Sequence, residues 1–305
     1  AASFALLVYA SCWIKCHHPA EFLAAMLNSQ PLGFYSASQL VQDAKRHGVE
    51  VRRVDVMSSE WDCTLEGLPH PPAVRLALRL VVGLKAESAL RILEARRQRP
   101  FDGAEDLARR AEIEQHEMTL LAAADALMSL AGHRRQQVWE AAGQRSAPQL
   151  LKQAPVNEEE LELPAAPEGE EVVWDYAATG LTLRRHPLAI LRPVLAKQGW
   201  CTAAELHDSP DGMLARACGI VTVRQQPETA KGVMFVSLED ETGSVQVIVW
   251  PKLKAQLRGP LLRSKLMAVK GTWQRDGDVR NLIAGHVEDL TALLGGLATS
   301  SRDFH

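Results

Sequence analysis

The stretch GVMFVSLEDETGSVQVIVW, residues 232–250, carries the clearest structural pattern in this chain. Met234, Val236 and Leu238 alternate with residues suited to a surface, which is typical of a half-buried β-strand. The turn sequence DETG separates this run from a second apolar run, SVQVIVW. Because Gly243 can adopt the positive φ that closes a tight turn, the stretch predicts a β-hairpin.

Three more strand-like runs flank the hairpin, at residues 215–224, 265–275 and 279–289. Residues 251–257 have helical spacing, and the sequence DGD at 276–278 marks a second hairpin. Five strands with a short helix between the third and the fourth predict an OB β-barrel over residues 215–290. Barrels of this kind commonly bind single-stranded nucleic acid or oligosaccharide.

Length and charge suggest several domains with two mildly basic blocks. A chain of 305 residues is long enough for two or three domains, and its net charge of −3 gives no whole-chain reason to expect a polyanionic partner. Residues 75–110 carry nine Arg and Lys against five Asp and Glu, and residues 215–290 carry eleven against eight. Residues 157–175 carry eight acidic residues and no basic one. This pattern is compatible with nucleic-acid contact at two places, but from charge alone arginines on solvated helices are the better explanation.

The cysteines indicate a reducing compartment, and the apolar runs are too short to indicate a membrane segment. Five cysteines at wide spacings suggest free thiols and a cytoplasmic location. Cys12 and Cys16, beside His17, could begin a metal site, but no second pair has matching spacing, so we expect buried core cysteines on a helix. No signal peptide or membrane-spanning run is evident, so we expect no membrane partner. Since the first residue is not Met, we expect a piece of a longer protein.

The first third of the chain predicts helices followed by short strands. Residues 3–15 form an apolar helix expected to be buried on most sides. Pro19 starts a second helix that runs to Asn28, and Ser36 caps a third helix that Gly48 closes.

Residues 1–66 closely resemble the end of the fingers region of bacterial C-family replicative polymerases. Within that family, the chain is most similar to the error-prone, alpha-like polymerases of the SOS mutasome, which are related to the DNA polymerase III alpha subunit. The resemblance continues along the whole chain. In the first 66 residues it is carried by the motifs WIK (13–15), HPAEF (18–22), LNSQP (27–31), GFY (33–35) and RHGV (46–49).

The resemblance and the residue patterns together predict a multidomain α+β chain with an all-α first part and a five-stranded OB-fold β-barrel. The expected segments are the C-terminal part of the fingers (1–66), a tandem helix-hairpin-helix domain (67–143), an acidic Pro-rich linker (144–171), a lead-in segment (172–214), the OB-fold (215–290) and a disordered tail (291–305).

The sequence VVGLKAESALRILEARR within residues 76–97 predicts the first helix-hairpin-helix. Its hairpin amides and the following helix N-terminus can face a DNA phosphate without reading sequence. Gly83 gives the turn its freedom, and Lys85 and Ser88 are placed to touch the same phosphate. Plain helix packing is the alternative for this segment. In a second copy, at 120–141, Asp125 stands where glycine is expected and would repel phosphate, so we predict a mainly structural role.

On the barrel we expect strands two and three to form the binding face. Phe235 would face outward beside Gln246 and Ile248, so that a base can stack on its ring. Arg224, Lys231 and Arg275 would border the same groove and follow the nucleic-acid backbone. Trp250 and Trp273 could stack as well, although core positions are an alternative for both.

No pair of carboxylates with the pattern of a catalytic metal site is evident, and we predict no catalytic residue in this chain. The resemblance implies Mg²⁺ and catalytic aspartates in a palm domain before residue 1, so the chain alone should be inactive. It also implies that Lys15 contacts a nucleotide or template phosphate. The implied partners are single-stranded and duplex DNA and other mutasome subunits. Residues 149–151 (QLL) lack the aromatic residue of a clamp-binding peptide, so we expect only indirect sliding-clamp contact.

These inferences point to the C-terminal, DNA-binding portion of an error-prone DNA polymerase that acts in damage-induced translesion synthesis. Two alternatives stay open at this point. One is a stand-alone DNA-binding repair module, and the other is a protein-interaction scaffold of a polymerase complex.

Overall fold

The chain folds into two compact units, residues 1–183 and 184–305, each with its own hydrophobic core. The computed structural model describes residues 2–32, 35–67, 71–143, 163–297 and 302–304. In these ranges no helix is long and apolar enough to cross a bilayer. The residues GF of the GFY motif, most of the predicted linker and the QLL segment at 149–151 lie outside the described ranges.

The described part of the first unit is mainly helical and includes a small sheet. The sheet has the order β1-β3-β2, with β1 parallel and β2 antiparallel to β3. Ser36 caps α3 as expected, because its side chain accepts the Gln39 amide while the Gln39 side chain accepts the Ser36 amide. The elements are α1 (Ala2–His17), α2 (Pro19–Asn28), α3 (Ala37–Arg46), β1 (Val51–Arg52), β2 (Thr64–Glu66), β3 (Ala73–Arg75), α4 (Ala86–Gln98), α5 (Ala104–Arg110), α6 (Gln115–Ala123), α7 (Met128–Ala131), α8 (Arg134–Gly143) and α9 (Glu168–Thr179).

Helix α1 is exposed, which corrects the expectation of a buried helix. Phe4 is 71% exposed and Leu6 is 69% exposed, and both Cys12 and Cys16 lie at the surface. The core of the unit begins at Ala20, one helix later. An apolar composition on all sides therefore does not by itself place a helix inside a core.

The expected boundary at residue 66 does not separate two compact bodies. Strand β2 ends at Glu66 and pairs with β3 across this boundary, with Leu65 opposite Val74. A single core extends from Ala20 to Leu181. The segment expected as fingers end and the segment expected as helix-hairpin-helix domain therefore fold together.

The linker and the lead-in are also divided differently from the prediction. Helix α9 begins at Glu168, inside the expected linker, and Glu171 is buried. Its backbone carbonyl accepts a hydrogen bond of 2.9 Å from Arg134 of α8. The boundary between the two units then falls after Leu183, within the expected lead-in. Charge pairing with a buried arginine lets this acidic stretch pack.

The second unit is a closed β-barrel, which confirms the OB-fold prediction. The strand order is β5-β6-β8-β7-β4, and a further β4–β5 pairing closes the ring. Strands β6 and β8 are parallel, and the other pairs in the ring are antiparallel. The elements are α10 (Pro187–Lys197), α11 (Ala203–His207), β4 (Leu214–Gln225), β5 (Met234–Glu239), β6 (Ser244–Val249), α12 (Pro251–Gln256), α13 (Arg258–Arg263), β7 (Leu266–Asp276), β8 (Val279–Asp289) and β9 (Arg302–Phe304).

One glycine of the barrel is required by close packing. A Cβ on Gly271 would lie 2.0 Å from the Ile283 carbonyl oxygen, where the β7–β8 register shifts. Only glycine permits this approach, and the resulting bulge bends the barrel wall.

The expected disordered tail contains regular structure. A 3₁₀ turn forms at Thr291–Leu294, and β9 pairs in parallel with the end of β4, Val223 lying opposite Arg302. Beyond Ile220 strand β4 no longer pairs with β7, so this edge is available to a further strand.

Candidate nucleic-acid interface

The outer face of β5 and β6 has the arrangement predicted for the binding face. Met234, Val236 and Leu238 point into the core, so Phe235 and its neighbour Ser237 face outward and are half-buried. On β6, Ile248 lies opposite Phe235, and Gln246 lies opposite Ser237. The Ser237 hydroxyl donates to Gln246 Oε1 at 3.0 Å, which leaves the Gln246 amide nitrogen as a donor for a ligand.

Strand β8 extends this face with residues that the sequence interpretation missed. Ile283 lies opposite Ile248 in the parallel β6–β8 pair, and both are half-buried. In the antiparallel β7–β8 pair Asn281 lies opposite Gln274. An apolar row that starts at Phe235 therefore continues across three strands. The alternation of Leu282 and Ala284 with Ile283 was the available signal, but it does not show which strand lies alongside.

The DETG turn is held by side chains and not by a glycine conformation. Gly243 does not adopt a positive φ, contrary to expectation. Instead, Asp240 Oδ1 accepts the amides of Thr242 at 2.7 Å and Gly243 at 3.0 Å. Arg192 of α10 binds the Glu241 carboxylate at 2.5 and 2.8 Å. Burial alone would raise the pKa of Glu241, but the Arg192 guanidinium lowers that pKa below its ordinary value. A rigid turn fixes the β5–β6 pair.

The loop between β4 and β5 presents one of the predicted cations. Lys231 is exposed and has φ of 49°, a left-handed conformation. Trp250, at the N-terminus of α12, is 53% exposed, whereas Trp273 is 3% exposed and belongs to the core. Of the two tryptophans, only Trp250 is accessible for stacking.

Arg224 is not available to nucleic acid, which corrects its predicted role. The residue is 5% exposed. Its Nε donates to the Leu261 carbonyl at 2.8 Å, and its Nη2 donates to the Ser264 carbonyl. The guanidinium therefore satisfies the C-terminal carbonyls of α13 and joins that helix to β4.

Arg275 lies at the exposed end of β7, opposite Arg280 of β8. Its backbone amide donates to the Asp211 carboxylate at 2.8 Å. This hydrogen bond involves the main chain of Arg275 and not its guanidinium. The structure thus brings Phe235 and Gln246 together on one face and places Lys231 and Arg275 on exposed segments of the same barrel.

In the first unit, the predicted first hairpin is present. Gly83 adopts φ of 86°, and a Cβ there would lie 3.2 Å from the Leu120 side chain. Lys85 is the exposed N-cap of α4, and no side chain caps this helix end. The turn is anchored from outside, since the Val82 amide donates to the Ala178 carbonyl of α9 at 2.9 Å. This leaves the start of α4 and Lys85 at the surface.

Ser88 does not reach the surface, so its predicted phosphate contact is wrong. It is 1% exposed, and its hydroxyl donates to the Glu117 carboxylate of α6. Arg91 approaches the same carboxylate at 3.5 Å. One turn into α4 from Lys85, the helix face already points at α6, which explains the burial.

The second hairpin is built around Asp125, which is buried and adopts φ of 59°. Its carboxylate accepts hydrogen bonds from Gln137 at 2.7 Å and from Arg53 at 3.3 Å. Aspartate tolerates the left-handed region because its short polar side chain can form local hydrogen bonds. These contacts support the mainly structural role predicted for this copy.

Arg134, next to this hairpin, is the largest charged residue of the core. It is 1% exposed and lies 3.0 Å from a Glu171 carboxylate oxygen, with a second contact to Asp175 of α9. The sequence pattern gives it no role. The acidic partners lie 37 and 41 positions later in the sequence, so local patterns could not identify the pair.

Lys15 is engaged within the protein. Its ammonium lies 2.8 Å from the Asp43 carboxylate of α3, and the side chain is 49% exposed. His17 and His18 lie against Trp13, with ring centroids 4.6 and 5.7 Å apart. An exposed ion pair of this kind exchanges readily, so phosphate contact by Lys15 stays a prediction.

No three or more His, Cys, Asp or Glu side chains in the described ranges are grouped to hold a metal ion. The residues described here therefore do not fit a Mg²⁺ centre, and no reaction step is assigned to them.

Family models match both candidate regions. A helix-hairpin-helix motif matches residues 48–137, and an OB-fold nucleic acid binding domain matches residues 215–290. The chain is thus similar to two known modules, one in each compact unit.

Curated relatives cover the whole chain and are named error-prone DNA polymerase. The relative from Bordetella parapertussis is 53% identical over 100% of this chain and 30% of its own length. The relative from Ralstonia nicotianae is 52% identical over 100% of the chain and 29% of its own length, and that from Methylococcus capsulatus is 49% identical over 99% and 31%. The chain is therefore similar over its whole length to proteins named error-prone DNA polymerase, and it spans only about 30% of the length of these relatives.

Among solved structures, the asparaginyl-tRNA synthetase from Pyrococcus horikoshii shares 18% identity over 29% of this chain and 22% of its own, with a TM-score of 0.25. A likeness at that level carries no weight for either fold or function.

Proposed function

We propose that this chain holds DNA for an error-prone DNA polymerase during damage-induced translesion synthesis. The OB barrel binds single-stranded template, and the first helix-hairpin-helix binds duplex through its backbone phosphates. The observation that carries the proposal is the outward Phe235, flanked by Gln246 and Ile248, on the face of a barrel that matches a nucleic-acid-binding domain. Aromatic side chains on such faces stack bases without regard to sequence.

The proposed contacts between the protein and DNA are assigned from the charge and exposure of the candidate residues. Lys231 and Arg275 contact phosphates on the barrel, Gly83 and Lys85 contact a duplex phosphate, and Lys15 contacts a nucleotide or template phosphate. Ser88 and Arg224 take no part, because both are buried and bonded within the protein.

A binding assay tests this proposal directly. We expect the chain to bind a fluorescent single-stranded oligonucleotide and a duplex of equal length at low salt. A protein-interaction scaffold would bind neither, and that result would overturn the proposal. A stand-alone repair module would bind both, so it is separated from the polymerase role by a second experiment.

The second experiment concerns the reaction. We propose that nucleotidyl transfer, with Mg²⁺ as cofactor, occurs in the parts of the relatives that this chain does not match. The chain alone should then leave a primed template unextended. A polypeptide that joins this chain to the unmatched part of a relative should extend the primer past a lesion more than that part does alone. Primer extension by the chain alone, or no effect in cis, would contradict the assignment.

We further propose that the whole protein acts in the cytoplasm with other mutasome subunits and contacts the sliding clamp only through them. Pull-down of the clamp by the isolated chain would contradict the last point. We propose the segments 1–66, 67–143, 144–171, 172–214, 215–290 and 291–305 as the sequence modules of this chain, with the structural corrections given above.

A further inference from the structure

A second cationic site lies on the barrel, away from Phe235. Arg216 of β4 and Lys270 of β7 are directly opposite each other in the antiparallel register. Like charges at directly opposed positions of a sheet are destabilising unless something compensates them. His286 of β8 lies opposite Lys270 on its other side and is exposed, so a third basic residue joins the row.

No carboxylate in the described part of the unit compensates these charges. Neither Arg216 nor Lys270 forms an ion pair there, and Glu288, two residues beyond His286, pairs with neither. Two other arginines of this unit have clear acceptors, Arg192 in Glu241 and Arg224 in two carbonyls.

The neighbour that both cations share is an indole ring. Arg216 Cζ lies 4.8 Å and Lys270 Nζ 5.4 Å from the centroid of Trp200, which is 4% exposed. A ring attracts a cation electrostatically but accepts no strong hydrogen bond from it. Consistent with this, Arg216 Nε is buried and has no acceptor among the described residues.

The two cations border a shallow cavity of about 310 Å³ that is lined by Leu214, Ala215, Arg216, Lys270 and Gly271. The absence of a side chain at Gly199 leaves room for the Arg216 guanidinium, since a Cβ there would lie 3.1 Å from Arg216 Nη1.

We infer that Arg216 and Lys270 form a phosphate-binding site above Trp200. A guanidinium fork and an ammonium group that border the same open cavity match the oxygens of one phosphate. The bound phosphate would accept from the Arg216 guanidinium and the Lys270 ammonium and relieve the repulsion between the two cations. Its source is either a phosphodiester of a nucleic-acid strand or a free phosphate ion. The site does not depend on the proposed face around Phe235.

NMR of the full chain tests the inference at the Arg216 guanidinium. The Arg216 Nε–Hε signal, assigned by its loss in Arg216→Gln, should shift during titration with inorganic phosphate, with a single-stranded oligonucleotide, or with both. A response to the oligonucleotide alone identifies a phosphodiester, and a response to inorganic phosphate identifies a free ion as a competent ligand. No shift with either ligand overturns the inference.

Variants provide the matched comparison. Lys270→Gln changes an exposed side chain and should weaken binding of the responding ligand by on the order of tenfold, as expected for a lost charge-assisted hydrogen bond. Lys265→Gln, which removes an equal charge just before the same strand, should leave binding unchanged. Equal effects of these two variants would contradict the site. Phe235→Ala should leave the response to inorganic phosphate intact, which separates this inference from the proposed binding face.

Discussion

Phe235 is the residue on which single-strand binding by the barrel depends most. Its side chain is half-buried, so part of it remains accessible to a base. Because stacking of one base on an aromatic ring contributes ~1–3 kcal/mol, Phe235→Ala should weaken single-strand binding roughly 5- to 150-fold. Fluorescence anisotropy would measure this change. Leu262→Ala, at another exposed apolar residue of the same unit, should have no effect, and equal losses in both variants would argue against stacking.

Asp125 allows a prediction about stability, because it combines a left-handed backbone with buried hydrogen bonds. Asp125→Ala removes the acceptor of Gln137 and places a Cβ-bearing residue without a local polar group in that conformation. We expect a loss of about 2–4 kcal/mol in the free energy of unfolding. Asp125→Asn keeps an acceptor and tolerates the backbone, so its loss should be clearly smaller in denaturant unfolding. Similar losses of stability in the two variants would contradict a role for the side-chain acceptor and for the tolerance of the left-handed backbone.

At the scale of single residues, the sequence predicted chemistry better than burial. Phe235, Gln246 and Lys231 are accessible as expected, whereas Ser88 and Arg224 are internal. The burial of Ser88 and Arg224 was missed because the partner of each comes from a distant element. Glu117 lies 29 positions from Ser88, and Leu261 lies 37 positions from Arg224. A local pattern contains no information about such contacts.

Among the elements, α4 with its preceding hairpin is the candidate for duplex contact. Lys85 is exposed at the helix start, where the helix dipole also favours an anion. Lys85→Gln should weaken duplex binding and reduce the slope of log K against log salt by about 0.9, the value for one phosphate of B-DNA. Arg97→Gln, at an exposed position further along the same helix, should leave the slope unchanged. If both variants behave alike, the hairpin is not the contact.

Element boundaries were predictable where alternation or capping is strong. The five barrel strands and the Ser36 cap agree with the sequence interpretation. The parallel β6–β8 pairing cannot be inferred from either strand alone, and the predicted binding face therefore does not include Ile283 and Asn281. Composition misled for α1, which is apolar yet exposed, and for Glu168–Glu171, which is acidic yet helical and packed.

For the whole molecule, one ion-pair network in the first unit predicts a pH dependence. Hydrogen bonds from Arg75, followed by those from Arg52, lower the pKa of Glu66 below its ordinary value, against the effect of its partial burial. A carboxylate with a lowered folded pKa contributes stability above its unfolded pKa, about 4.3, and that contribution is lost as the pH falls through the folded pKa.

Glu66→Gln should therefore lower the free energy of unfolding by about 1 kcal/mol at pH 7. The difference from the unsubstituted protein should shrink as the pH falls below about 4, where both proteins lack the charge. Glu50 pairs with the same Arg52 but is exposed, so Glu50→Gln should change stability by less than about 0.5 kcal/mol. A pH-independent loss in Glu66→Gln would contradict the network.

Both units of the molecule have the accessible groups that nucleic-acid binding requires, and their binding should be electrostatic. A salt titration of single-stranded oligonucleotide binding to the 305-residue chain tests this most directly. With Lys231 and Arg275 each neutralising one phosphate, log K should fall linearly with log salt with a slope of at least about 1.4. Binding that is absent at low salt, or that does not change with salt, would contradict the account.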